Sequence, residues 1–192
     1  MNLFFDNIDS LNQFTHQLDN HNDAFSCQHC RKQDQFVPHG FVYKNQHIAP
    51  AADKEPAGKR LLCSNRYGRS GCGRTLRLYL ADCIPSLTRS SAQVALFFLL
   101  LLSGCSTKEA YQKSTPETEA DHRNAYRWLT KCQTKLTTYR TFLSTRALNF
   151  TCVFAKRTNR LQHLLPTIKR LHDIYGDSFV LHFQLEQQAN FI

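Results

Sequence analysis

Four cysteines have the type and spacing to do chemistry in this chain: Cys27-x2-Cys30, a gap of 32 residues, then Cys63-x8-Cys72 followed by Gly73-Arg74-Thr75. Thiolates two residues apart reach one ion from a single tight turn. A second pair from a distant hairpin completes the tetrahedron that Zn²⁺ prefers. The pattern predicts a zinc ribbon holding one structural Zn²⁺, because four sulfurs leave no open position for a catalytic water. The first spacing is ideal. In the second, Ser64-Asn65-Arg66-Tyr67-Gly68-Arg69-Ser70-Gly71 stands where two residues are usual. His29 and His39, near the first pair, are the substitutes if one of the four thiols is not a ligand.

Charge supplies the second signal. The chain of 192 residues carries a formal net charge of +9, yet residues 1–26 contain Asp6, Asp9, Asp19 and Asp23 and no Lys or Arg, so the remainder carries +13. From His122 to His172 there are eleven Lys or Arg and no acid, and Pro56 to Ala81 adds six more basic residues without an acid. Segregated sign of this kind builds a positive potential over whole faces and suits a polyanion. Arg66, Arg69, Arg74 and Arg77 crowd around Cys63 and Cys72, with Lys59 and Arg60 extending the patch. A metal-stapled knuckle would hold them rigidly enough to grip phosphates. Tyr67 interleaves with these arginines and suits stacking on a base, although an exposed turn tyrosine is the commoner reading.

The elements that must position these residues follow from periodicity. Phe4, Ile8, Leu11, Phe14 and Leu18 predict an amphipathic helix over residues 3–19, an acidic segment spanning 1–26 whose apolar stripe would cover the rest of the protein. The ribbon is expected over 27–83, with strands around 36–37, 40–43, 60–63 and 76–80 and a loop at 49–58. Ser90-x2-Gln93 is a capping box opening an apolar helix to about Leu102, and Ser106-x2-Glu109 opens a second short helix. Thr115-Pro116 is read as the start of a third, long helix through Ala125, Trp128, Leu129, Cys132, Leu136, Tyr139 and Leu143. These three helices over 86–145 make a helix-turn-helix plausible. Its third helix would place Arg123 and Asn124 at guanine and adenine edges, with Arg127 beside them and Lys131, Lys135 and Arg140 on phosphates. The tail, 146–192, reads as strand, helix, strand or as an irregular cap. The fold class expected is α+β, mainly α.

Ala95 to Leu102 followed by Ser103-Gly104-Cys105 imitates a lipoprotein signal, but it lies a hundred residues from the start. Its nine apolar residues, Val94 to Leu102, fall short of the about 20 needed to span a bilayer. No secretion signal opens the sequence, so a cytoplasmic protein with reduced thiols is expected, and Cys83, Cys105, Cys132 and Cys152 read as small buried hydrophobes. A two-metal nuclease site needs converging carboxylates. Only fifteen acids are present, none of them between Asp121 and Asp173, and there is no phosphate-binding Gly-rich loop or nucleophile elbow. The expectation is a non-enzymatic protein.

Cys27-Gln-His-Cys30 with His39-Gly40-Phe41, Lys59 to Cys63 leading to Gly71-Cys72-Gly73-Arg74-Thr75, and the helical stretch with Ser103 to Ser106 and Tyr126-Arg127-Trp128-Leu129 resemble one group of proteins. These are the zinc-ribbon plus helix-turn-helix modules of bacterial insertion sequences, and the resemblance covers roughly residues 27–143. It implies binding to element ends or transcriptional repression on double-stranded DNA. No acidic catalytic triad follows the module, which implies an accessory or regulatory protein, or a remnant, that works beside a transposase or other subunit. The alternative is a zinc-ribbon protein–protein adaptor within a larger nucleoprotein complex. RNA is a live substitute for DNA, and no membrane partner is expected.

Overall fold

The computed structural model describes residues 2–20, 25–43, 56–85, 87, 89–116, 121–146 and 160–192. It is mixed α and β, mainly α, as expected, and divides into two compact units, Met1–Thr88 with Gln184–Asn190, and Arg89–Phe183 with Phe191–Ile192.

The first unit is built on a four-stranded sheet in the order β1-β4-β3-β2, where β1 is Asn2–Phe5, β2 Phe36–Tyr43, β3 Pro56–Cys63 and β4 Thr75–Leu80. β2, β3 and β4 form the antiparallel ribbon, and β1 runs parallel to β4. The expected helix over 3–19 is therefore corrected at its start. Residues 2–5, Asn-Leu-Phe-Phe, pair with Arg77 to Leu80, so backbone hydrogen bonds to a ready edge win over the first helical turn. Helix α1 is Ile8–Asn20. Asn7 caps it, its Oδ1 accepting from the Ser10 amide at 2.8 Å. Leu11 and Leu18 lie in one cluster with Phe36, Leu61, Leu76 and Leu78, so the helix covers its own sheet and is part of the ribbon unit.

The parallel edge of that sheet is closed by a side chain. The Gln188 amide accepts from the Phe4 N–H at 2.7 Å and donates to the Phe4 carbonyl at 3.0 Å, as a paired strand would. Exposed edges invite pairing with other chains, and this amide occupies the β1 edge at Phe4. Gln184 donates in the same way to the Ala81 carbonyl at 2.6 Å.

The second unit holds helices α2 (Ser91–Leu102), α3 (Thr107–Ser114), α4 (Arg123–Thr134), α5 (Leu136–Arg146) and α6 (Arg160–Tyr175), a 3-10 turn at Gly176–Ser178, and the opening of α7 (Phe179–Gln187). The Ser90–Gln93 capping box forms in both directions. Ser106 accepts from the Glu109 amide at 3.3 Å, while the Glu109 carboxylate is engaged by Lys113 at 2.8 Å. Phe97, Tyr111 and Trp128 meet edge to face at the junction of α2, α3 and α4. Tyr139, Phe183 and Phe191 form a second aromatic cluster, fixed by the Tyr139 hydroxyl donating to the Phe191 carbonyl.

Three expectations change here. Thr115 does not open the third helix; its hydroxyl donates to the Tyr111 carbonyl at 2.7 Å and closes α3, while Asp121 accepts from the Arg123 amide at 2.9 Å to start α4. The long helix is broken at Lys135. The Thr134 hydroxyl takes the Lys131 carbonyl at 2.7 Å, and the Lys135 N–H turns to the Cys132 carbonyl at 3.1 Å, which tightens the last turn. Phe179, Leu181, Phe183 and Leu185, read as an alternating strand, lie in α7, because burial of this segment covers more than one face. The other tail strand, read over 148–154, lies outside the described residues, as do residues 49–55 of the loop expected at 49–58, whose last three residues are instead the start of β3. Pro166 sits inside α6 without ending it.

Candidate metal centre and basic surfaces

Cys27 and Cys30 bracket the turn that precedes β2, Cys63 ends β3, and Cys72 lies in the β3–β4 connection. In the turn, the Cys27 carbonyl accepts from the Arg31 amide at 2.6 Å and the Cys27 amide donates to the Lys32 carbonyl at 3.0 Å. Arg31 takes the left-handed φ of 58° that such a knuckle needs to reverse so sharply.

The β3–β4 connection explains how the stretched second pair works. The Gly71 amide donates to the Ser64 carbonyl at 2.7 Å, the Gly73 amide to the Cys63 carbonyl at 2.8 Å, and the Cys63 amide to the Arg74 carbonyl at 2.9 Å. These bonds close the hairpin at Ser64 and Gly71, so the residues between them are an outward excursion. Cys63 and Cys72 then stand as they would with the usual short spacer. Gly71 is required at this closure. A Cβ there would lie 2.4 Å from the Ser64 carbonyl oxygen and 2.6 Å from the Cys63 sulfur.

The four sulfurs lie within 4.8 Å of one another, with Cys27 Sγ to Cys72 Sγ at 3.7 Å and Cys30 Sγ to Cys63 Sγ at 3.6 Å. Metal–sulfur bonds of about 2.3 Å in a tetrahedron require sulfur–sulfur edges of about 3.8 Å. The cluster has the size of a metal site, and the four cysteines could hold a metal ion. The Cys72 amide donates to the Cys63 sulfur at 3.3 Å, a bond that favours thiolate. Burial pushes the Cys63 thiol up to about 12. Burial acts in the same direction on Cys27, but hydrogen bonds from the Cys30 and His29 amides and from the neighbouring thiols outweigh it and bring Cys27 down to about 7. Four thiolates this close need a cation to neutralise them. His29 is not among the clustered ligand atoms; its Nδ1 contacts the Arg74 guanidinium at 2.7 Å.

The basic residues around this cluster separate into different roles. Arg66, Arg74 and Arg77 are exposed. Arg69 is half-buried and held in place: its guanidinium donates to the Asp34 carbonyl and ties the excursion to the loop before β2. Arg60 and Arg77 are direct cross-strand partners on β3 and β4, both exposed, and neither has an acidic partner among the described residues. Like charges placed opposite each other on a sheet are destabilising, so this pair costs stability unless an anion lies between them. Sequence reasoning ranked Arg60 below its neighbours, because only the β3–β4 register reveals that it faces Arg77.

In the second unit Arg123, Arg127 and Lys131 recur at four-residue intervals on α4 and are exposed, with Tyr126 exposed beside them. Both expected base readers have an exposed polar neighbour close in sequence. Arg123 Nε lies 3.7 Å from the Asp121 carboxylate, and Asn124 accepts from the Arg127 guanidinium at 3.2 Å. Lys135, expected to face phosphate, sits half-buried at the break between α4 and α5, where burial lowers its ammonium below the ordinary lysine value. Burial also raises Cys132 to about 12 and Tyr139 well above the usual phenol, so both stay neutral core groups. No helix among the described residues is long and apolar enough to cross a membrane; α2, the most apolar, has 12 residues.

No protein-family model, no curated protein and no solved structure matches this chain.

Proposed function

We propose that this chain is a zinc-dependent DNA-binding accessory or regulatory protein of a mobile genetic element, acting without a catalytic centre of its own. The observation that carries the reading is the arginine pair Arg60 and Arg77, exposed and facing each other, with no acidic partner among the described residues, on a sheet that ends in a four-cysteine cluster. Two exposed guanidiniums on neighbouring strands offer the charge and the N–H donors that bind phosphate oxygens. Zinc is the metal that four thiolates in a closed tetrahedron suit best, and here it would hold the knuckle that presents Arg66 and Arg74. Arg123, Arg127 and Lys131 form a second basic stripe suited to a duplex groove. The link to a mobile element rests on the motif resemblance alone.

In the adaptor reading, the zinc ribbon and the acidic N-terminal helix dock on a larger nucleoprotein complex. That helix has its apolar stripe buried on its own sheet, so a partner would meet the ribbon and the polar face of the helix. The deciding experiment is elemental analysis of the purified protein followed by selection from random duplexes, with and without a chelator. One zinc per chain and a recovered, chelator-sensitive motif is the expected result. Zinc with no enriched motif and no duplex binding would overturn the DNA reading and favour the adaptor.

A further inference from the structure

The excursion between Ser64 and Gly71 is longer than the metal cluster requires, and its tip has an unusual build. Tyr67 is 98% exposed, the most exposed large hydrophobic side chain among the described residues. Its φ is +55°, and Gly68 follows at +80°. The Arg69 amide donates to the Arg66 carbonyl at 3.1 Å, so residues 66–69 form a tight turn with both central residues left-handed. Asn or Asp normally precedes Gly in such a turn, because a large side chain is strained there. A tyrosine thus occupies a strained position while making no apolar contact that would compensate it. Strain without a structural return points to a functional constraint.

The base of the excursion is rigid. Ser70 donates its amide to Gln35 Oε1 at 2.6 Å, Lys32 donates to the Ser70 carbonyl at 2.7 Å, and Arg69 holds the Asp34 carbonyl. Ser64, at the closure, donates its amide to the Gln35 carbonyl at 2.7 Å. The tip is therefore a short finger fixed to the metal-bearing knuckle, with one aromatic face in solvent and the exposed Arg66 next to it.

We propose that Tyr67 is a base-stacking finger, which rests on the nucleic-acid reading above and refines it: the preferred ligand carries an unpaired or frayed base, held by the Tyr67 ring while nearby arginines hold the phosphates. A ring on a rigid support stacks on any base without loss of side-chain freedom beyond its two torsions. Stacking of this kind discriminates an accessible base from one locked in a duplex, and it does so independently of sequence.

The test uses the full-length, zinc-loaded protein and two DNA hairpins of equal stem length whose ends are closed by the same non-nucleotide linker in place of a loop, one with a fully paired stem and one with a single bulged 2-aminopurine. The wild type is expected to bind the bulged hairpin about tenfold more tightly and to quench its fluorescence, in line with typical base–aromatic stacking. Tyr67→Phe and Tyr67→Trp keep both effects. Tyr67→Ala loses both while binding the paired hairpin within about twofold of wild type, a comparison that normal zinc content validates as folded. Equal preference for the bulge in wild type and Tyr67→Ala, with paired binding intact, overturns the finger and leaves the DNA reading standing. Binding of neither hairpin by the wild type overturns both, and turns attention to a protein pocket as the acceptor of the ring.

Discussion

Gly71→Ala perturbs the proposed metal centre without replacing a ligand. The new Cβ would stand 2.4 Å from the Ser64 carbonyl oxygen and 2.6 Å from the Cys63 sulfur, whereas ordinary contact begins at 3.4 Å. The first of these gaps calls for a retreat of about 1 Å, and both neighbours are fixed, one as backbone and the other as a candidate ligand. Such a shift breaks the Gly71 to Ser64 hydrogen bond and carries Cys72 with it. Metal–ligand distances tolerate only about 0.2 Å, so the fourth sulfur leaves the tetrahedron. Structural zinc contributes roughly 10–16 kcal/mol over four ligands, which makes one thiolate worth about 3 kcal/mol and its loss about a hundredfold in affinity. The assay is competition for zinc against a chromophoric chelator at neutral pH. Gly68→Ala is the control: its φ of +80° makes it strained, but nothing lies within 4 Å of the added carbon. It should lose about 1 kcal/mol of stability and keep its zinc. If Gly71→Ala holds zinc as tightly as the wild type, closure at Ser64 and Gly71 is not what places Cys72.

The Cys27→Ser, Cys30→Ser double variant should purify without zinc and lose the cooperative unfolding of the ribbon unit, because metal binding and folding are one equilibrium in such modules; elemental analysis with a thermal scan reads both, and unchanged zinc content would remove the metal site. Gly58→Ala sets a Cβ 1.9 Å from the Leu78 carbonyl oxygen across the β3–β4 ladder, so it should cost about 3 kcal/mol and lower Tm by roughly 10 °C or more, and a Tm within experimental error of wild type would contradict the packing. Arg60→Ala with Arg77→Ala should flatten the log–log salt dependence of duplex binding by about 2, since each neutralised phosphate contributes about 0.9, while Tm holds or rises as the like-charge pair is removed; a slope identical to wild type would place the DNA elsewhere. Tyr67→Asn should raise stability by about 1 kcal/mol by suiting the left-handed turn, measured by denaturant midpoint, and a lower midpoint would mean that Tyr67 has a structural role after all.

The four-cysteine cluster was legible in the sequence because thiol chemistry is indifferent to most of what surrounds it: two residues between Cys27 and Cys30 are enough to define half a tetrahedron. The strands of the ribbon, the Ser90 cap and the apolar stripe of α1 were legible for a similar reason, since alternation, capping and helical periodicity are local properties of the chain. Local rules failed where a distant segment competed for the same groups. Residues 2–5 carry a helical pattern continuous with α1, yet the free edge of β4 takes them as a strand. Residues 179–185 alternate like a strand and form a helix, because their burial is set by what packs around them rather than by one face of a sheet. What periodicity describes as one helix is two, α4 ending at Thr134 and α5 starting at Leu136, with Lys135 out of helical geometry between them.

The site divides along the same line. Residue types alone placed four sulfurs at metal-ligand spacing and segregated positive charge away from the N-terminal 26 residues. Only the tertiary structure decided how an eight-residue spacer can serve in place of a short one, because a hydrogen bond between Ser64 and Gly71 removes the excess from the ligand geometry. Only the strand register decided which cations stand together. Arg60 and Arg77 are 17 positions apart in the chain and become neighbours across a ladder, while Arg69, three residues from the exposed Arg66, is spent on a carbonyl. Side-chain charge is written residue by residue, but whether it is free to meet a ligand depends on partners that folding alone brings within reach.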